Sequence, residues 1–210
     1  MLIKTLKAVS RVVQKKRGVK KKIDGDIRHK QSLAELTHLK NSEEINRKAS
    51  QSGYSLDPDF STDETKVFVN PNDKKTVVAY RGTHLKDKKS ALKDIASDFA
   101  IAFGMEKYNK RFQDSDKQFK KIKAKYPDFK LDVTGHSLGG QISKYVTDKN
   151  YNDVNTNYAF SRGSGLFEPF RKKGKKTVDI SNQNDIISLG ARLQGGKQVI
   201  EKKTRVPGIP

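Results

Sequence analysis

Ser137 lies in the run Leu131-Asp-Val-Thr-Gly-His-Ser-Leu-Gly-Gly140, which sets a hydroxyl between glycines at the spacing Gly135-x-Ser137-x-Gly139. A β-rich stretch precedes it over Lys130 to Thr134, and a helical pattern follows from about Gly140 to Lys149. Strand, sharp turn and helix in that order make a nucleophile elbow. The turn is so tight that a side chain on either flank would collide with neighbouring backbone. Gly135 and Gly139 remove those side chains, and Gly140 leaves further room. Held on such a strained turn, Ser137 would present an exposed Oγ for attack on an acyl carbon. The helix start aims N–H groups at the place where negative charge would develop, and the N–H of Leu138 is the natural oxyanion donor.

A serine nucleophile needs a general base and an acid that orients the base. The best acid is Asp185, 48 residues after Ser137, in the turn Asn182-Gln-Asn-Asp185 that follows a predicted strand over Lys176 to Ser181. From that turn it would project over the carboxyl edge of a sheet. Asp179 is the rival, but it falls inside the strand. The base is harder to find, because the four histidines are His29, His38, His84 and His136, and none follows Asp185. His136 adjoins the nucleophile, yet on an elbow the preceding residue points to the other side. His84 is a candidate base, although Asp185 would not be placed to orient it.

The elements that must carry these groups alternate between helix and strand. Residues 31–53 are helical in pattern on Leu33, Leu36, Leu39, Ile45 and Ala49, with Gly53 as the stop. Thr65 to Asn70 and Thr76 to Tyr80 read as paired strands around a turn at 71–75. A short apolar run occupies 99–104, and a long amphipathic helix runs from about Glu106 to Lys125, ended by Pro127. Asn155 to Phe160 is a further strand, residues 161–165 a loop, and residues 193–210 a polar tail. This order predicts an α/β sheet that is mostly parallel after the first hairpin, with the elbow strand central.

Composition limits the partners. Net charge is +20 at pH 7, and the chain has no cysteine, which excludes disulfides. No apolar run approaches the length of a membrane span, lysines break up the start where a signal peptide would need an apolar core, and no metal-ligand cluster is visible. The expected location is inside a cell or on a virus particle, and no cofactor or metal is implied. Residues 1–30 hold eleven Lys and Arg against two Asp, a net of nine positive charges. Leu2, Ile3, Leu6, Val9 and Val13 recur there at helical spacing. Three readings of this arm stand: a solvated disordered tail, an amphipathic helix on an anionic membrane or capsid-type surface, or a nucleic-acid contact. The chain thus divides into a basic arm over 1–30, a catalytic-type domain over 31–205 and a tail over 206–210.

Two of these motifs together resemble one family. Gly135-His-Ser-Leu-Gly-Gly140, preceded by Val77-Val-Ala-Tyr-Arg-Gly-Thr83, is similar to the class-three (fungal-type) lipases of the α/β-hydrolase superfamily. The resemblance runs over roughly 60–190. It implies that Thr83 supplies part of the oxyanion hole, with Leu138 as the second donor. It also implies that Asp94 or Asp98 is the acidic residue following that motif, and that Asn182-Gln-Asn-Asp185 is the turn carrying the triad acid. Tyr158-Ala-Phe-Ser-Arg-Gly-Ser164 resembles another of the family's strand–loop segments. The implied function is a serine carboxylester hydrolase of lipase or phospholipase type acting on a lipid or ester, with 99–103 near a lid or acyl site. The positive charge suits anionic phospholipid more than neutral fat. In the family the base is a histidine some tens of residues after the acid. Here three explanations stand: a histidine beyond Pro210 in a longer chain, a true absence, or a base from His84 or a partner. The alternative function is a catalytically incomplete lipase-like scaffold, associated with a virus particle, that binds an anionic surface through its arm. A third is a different reaction on the same elbow, such as thioester or peptide cleavage.

Overall fold

Seven strands pair in the order in which the chain makes them. The computed structural model describes residues 24–82, 106–161, 176–182 and 197–201. The strands are β1 (Ser55–Leu56), β2 (Thr65–Asn70), β3 (Lys75–Tyr80), β4 (Lys130–His136), β5 (Val154–Phe160), β6 (Thr177–Asn182) and β7 (Lys197–Glu201). The β1–β2 and β2–β3 pairs are antiparallel, and every later pair is parallel. β4, which leads into the elbow, is the middle strand. The molecule is therefore a mixed, mostly parallel α/β sheet of the α/β-hydrolase kind, as the sequence predicts.

The helices are α1 (residues 24–35), α2 (Ser42–Ser50), α3 (Glu106–Lys125) and α4 (Leu138–Lys149). Because β3, β4 and β5 lie side by side in sequence order, right-handed crossovers place α3 and α4 on the same face of the sheet. Strand alternation sorts the core accordingly. Val78 and Tyr80 of β3 and Leu131 and Val133 of β4 face Phe119, Ile122, Ile142 and Val146 of α3 and α4. Val77 and Ala79 face the other way, onto Leu33, Leu36, Ile45 and Ala49.

That second face has no crossover helix among the described residues, and the N-terminal segment covers it. Ile27 and Ala34 of α1 pack on Phe160, Val178 and Ile180. Lys30 is buried and pairs with Asp132 of β4 at 3.1 Å, so the packed domain takes in residues 24–30, which the boundary drawn at residue 31 leaves in the arm. Residues 1–23 of the arm and the tail beyond 201 lie outside the described residues.

The helical pattern over 31–53 is divided between two helices. α1 tightens into a 3₁₀ turn at Leu36–His38, and Leu39 is extended. Asn41 then caps α2, its side chain accepting a 2.9 Å hydrogen bond from the N–H of Glu44. A cap satisfies orphan N–H groups that a continuous helix would not have, so it starts a new helix within the same apolar period. Gly53, with φ 76°, follows the end of α2 by three residues. The predicted bounds of β2 and α3 match those observed, whereas β4 runs two residues further, to His136, and α4 begins at Leu138. β1 was not foreseen, and β7 falls within the predicted polar tail.

Candidate active site

Ser137 joins β4 to α4 with φ 54° and ψ −121°, a left-handed conformation that side-chain-bearing residues rarely adopt. The surroundings hold it there. Its N–H donates to the carbonyl of Phe160 at the end of β5 (2.9 Å), and its carbonyl accepts from the N–H groups of Gly140 (2.9 Å) and Gln141 (3.2 Å). The side chain does not cap α4, so the hydroxyl is not spent on the helix.

The flanking glycines act as the sequence requires. A Cβ on Gly135 would land on the backbone of Gly139, and one on Gly139 would land on the carbonyl of Tyr80. The second contact ties the elbow to β3. Gly82 adds another, since a Cβ there would strike the carbonyl of His136. The Arg81-Gly82 step and the Gly135–Gly139 turn, 53 residues apart between Gly82 and Gly135, are thus packed backbone to backbone.

Ser137 is 7% exposed, and His136 is exposed. As whole residues, Ser137 is largely covered where its neighbour His136 is open. The ends of β3 and β5 flank the turn. Leu138 is the first residue of α4, and its N–H belongs to the first turn, which has no acceptor within the helix.

Thr83, His84, Asp94, Asp98, Asp185 and the run 99–103 lie outside the described residues. The chain leads toward three of them from the elbow's edge of the sheet. Tyr80 pairs with Gly135 in register, and Arg81 and Gly82 then pass His136 before Thr83. β6 runs parallel to β5, ends at Asn182, and is followed after two residues by Asp185. Asp179, the rival acid, is buried on β6 opposite Ala159. His29 is exposed on α1, and His38 closes the 3₁₀ turn.

Sequence reading missed two groups around this site. Arg111 of α3 donates from Nη2 to the carbonyl of Arg81 at 2.5 Å. Lys30 forms a buried network beneath the elbow strand: Asp132 Oδ2 at 3.1 Å, the Tyr54 hydroxyl at 3.0 Å, and Asn155 Nδ2 donating to Asp132 Oδ1 at 2.7 Å. Burial pulls the Lys30 ammonium down, but Asp132 and Tyr54 outweigh it and hold the group above its ordinary 10.5. Burial, with the Asp132 charge second, pushes the nearby Tyr158 phenol up. The signal for Lys30 was available: an aspartate in the middle of a central strand requires a cation. Among the described residues no cluster of three or more His, Cys, Asp or Glu could hold a metal, and no helix is long and apolar enough to cross a membrane.

A mostly parallel sheet whose middle strand turns through a strained serine into a helix is an α/β-hydrolase-like arrangement. The sequence matches the profile of the family Lipase (class 3) over residues 77–189, more than half the chain. The chain belongs to the class 3 lipase family, whose members are lipase-type hydrolases. Solved structures agree at the level of fold. The lipase of Rhizopus microsporus var. chinensis superposes with a TM-score of 0.58 at 15% identity, covering 89% of this chain and 75% of that one. Lipase II of Rhizopus niveus gives 0.57 at 14% identity, covering 85% and 80%. A triacylglycerol lipase whose catalytic centre is formed by a serine protease triad gives 0.58 at 14% identity, covering 84% and 79%. No curated protein matches the sequence.

Proposed function

We propose that this class 3 lipase hydrolyses carboxylic esters of lipids with Ser137 as its nucleophile. The observation that carries the reading is the left-handed backbone at Ser137, fixed by glycine packing against β3 and by the Phe160 carbonyl. A strained φ at a non-glycine residue persists only where the surroundings over-determine it, and such positions concentrate at functional sites.

In this reading Ser137 Oγ bonds to the acyl carbon as a histidine takes its proton. The carbonyl oxygen becomes an oxyanion, which the N–H of Leu138 and the Thr83 position stabilise. The alkoxide leaves with the proton from the histidine, and water then releases the acid from the acyl-serine. Asp185 orients that histidine where, as in the family, it follows the acid; His84, which Asp185 would not be placed to orient, is the alternative base within this sequence. The net charge of +20 favours anionic over neutral lipid surfaces. The serine-protease triad of the similar triacylglycerol lipase supports the same roles.

The test is hydrolysis of short-chain and phospholipid esters by the wild type and by Ser137→Ala, with labelling by a serine-directed phosphonate. Loss of both turnover and label in the variant is expected, by about 10⁴-fold or more in rate. Turnover that survives in Ser137→Ala removes the assignment. A wild type that neither turns over nor labels would leave the scaffold reading, in which the basic charge binds an anionic surface.

A further inference from the structure

The oxyanion side of the site depends on backbone that leaves β3 at Arg81 and Gly82, and catalysis requires such donors to be fixed before the reaction. Three contacts fix it. The Arg81 N–H donates to the Glu64 carbonyl at 2.8 Å. Gly82 lies against the His136 carbonyl with no room for a side chain. The Arg81 carbonyl accepts from Arg111 Nη2 at 2.5 Å.

The third contact differs in kind from the others. The first continues the strand edge and the second is packing, but the third reaches across 30 residues from the first third of α3. It ties the end of β3 directly to α3. The Arg111 side chain is only 15% exposed, so the bond is made by a charged donor largely removed from water, where such bonds are strongest. Its Nε also stands 3.4 Å from Glu64, but that carboxylate is 57% exposed and the pair contributes little. The guanidinium therefore bridges the two residues that bracket the start of the oxyanion segment: Glu64 beside β2, and Arg81 after β3.

We propose that Arg111 is a positioning residue for ester hydrolysis, holding the Arg81 carbonyl so that Gly82 keeps its place against the His136 carbonyl, next to Ser137. Arg111 acts through the backbone of Arg81. This rests on Ser137 being the nucleophile. A neutral side chain of similar length keeps the packing and loses the donor, leaving the Arg81 peptide free to tilt.

The test compares Arg111→Met with Lys125→Met. Lys125, at the far end of α3, bonds Asp57 at 3.1 Å and Asp59 at 3.2 Å, and its loss loosens the same helix away from the site. Arg111→Met is expected to lower kcat by about 10–100-fold, the cost of a misplacement near the chemistry, with KM unchanged within about twofold. Amide hydrogen exchange at Arg81 and Gly82 is expected to quicken in the same variant. Lys125→Met should alter neither quantity. A kcat for Arg111→Met within about twofold of wild type, or no larger a fall than in Lys125→Met, overturns the proposal. If the wild type shows no Ser137-dependent turnover, the proposed function falls, and the clamp is judged by exchange alone: quickened exchange upholds it and unchanged exchange refutes it.

Discussion

The two faces of the sheet are built on different principles. The face under α3 and α4 is covered as a consequence of topology, because crossovers between neighbouring parallel strands must carry their helices to that side. It is apolar, with Phe119, Ile122, Leu131, Val133 and Ile142 fully buried. Two polar groups of β3 caught there go without partners among the described residues. The Tyr80 hydroxyl and, on the same side of β3, Thr76 Oγ1 have no hydrogen bond among the described residues. Burial accordingly pushes the Tyr80 phenol far up. The face under α1 and α2 is covered by a segment with no topological obligation to be there. It carries a polar network in which both oxygens of Asp132 are used, one by Lys30 and one by Asn155. A greasy surface admits several sliding positions of a helix, whereas a buried charge accepts only the one that pairs it.

The largest test of this contrast is Lys30→Met. It strands the Asp132 carboxylate and should cost about 3–5 kcal/mol in urea unfolding, as removal of one partner of a buried pair does. Adding Asp132→Leu should recover most of that loss. A cost under about 1 kcal/mol for the single variant would show that α1 is held by apolar contacts alone, and the contrast would disappear. The pair also predicts a pH dependence. The folded Lys30 binds its proton more tightly than the unfolded chain does, so its stabilisation is complete below pH 10.5 and is lost as pH rises through the raised value. In Lys30→Met that alkaline loss should be absent.

A smaller effect is expected where the elbow meets the sheet. Gly139→Ala forces a methyl group onto the Tyr80 carbonyl and should destabilise by about 1–3 kcal/mol, with ester hydrolysis falling more steeply than stability. Unchanged activity in a folded Gly139→Ala protein would mean that the β3 contact does not govern Ser137. The smallest effect has the opposite sign. Tyr80→Phe deletes an unpartnered buried hydroxyl and should stabilise by about 1 kcal/mol, read as a higher urea midpoint. A loss of stability would show that the hydroxyl is satisfied and that the two faces are less different than they look.

The site was partly legible without coordinates because the elbow is a local device. Gly135, Ser137 and Gly139 meet within one turn, so their types and spacing state the geometry directly. The boundaries of β2 and α3 were legible because alternation and helical period are also local. β7 was not, because Lys197-Gln-Val-Ile-Glu201 has little to mark it as a strand until β6 supplies a parallel edge. Nor was the break before α2, since the apolar period runs through it and only the Asn41 cap interrupts the helix.

Sequence by itself determined the family motifs, the strained serine and the α/β class, since each rests on residues close together in the chain. Tertiary structure alone decided that Gly82 packs on the elbow, that Arg111 holds the Arg81 carbonyl, and that a lysine from the basic N-terminal run is buried against Asp132. In a run of eleven cations Lys30 looks like any other solvated charge. What distinguishes it is an aspartate 102 residues away, brought within reach when β4 takes the centre of the sheet and α1 crosses its open face.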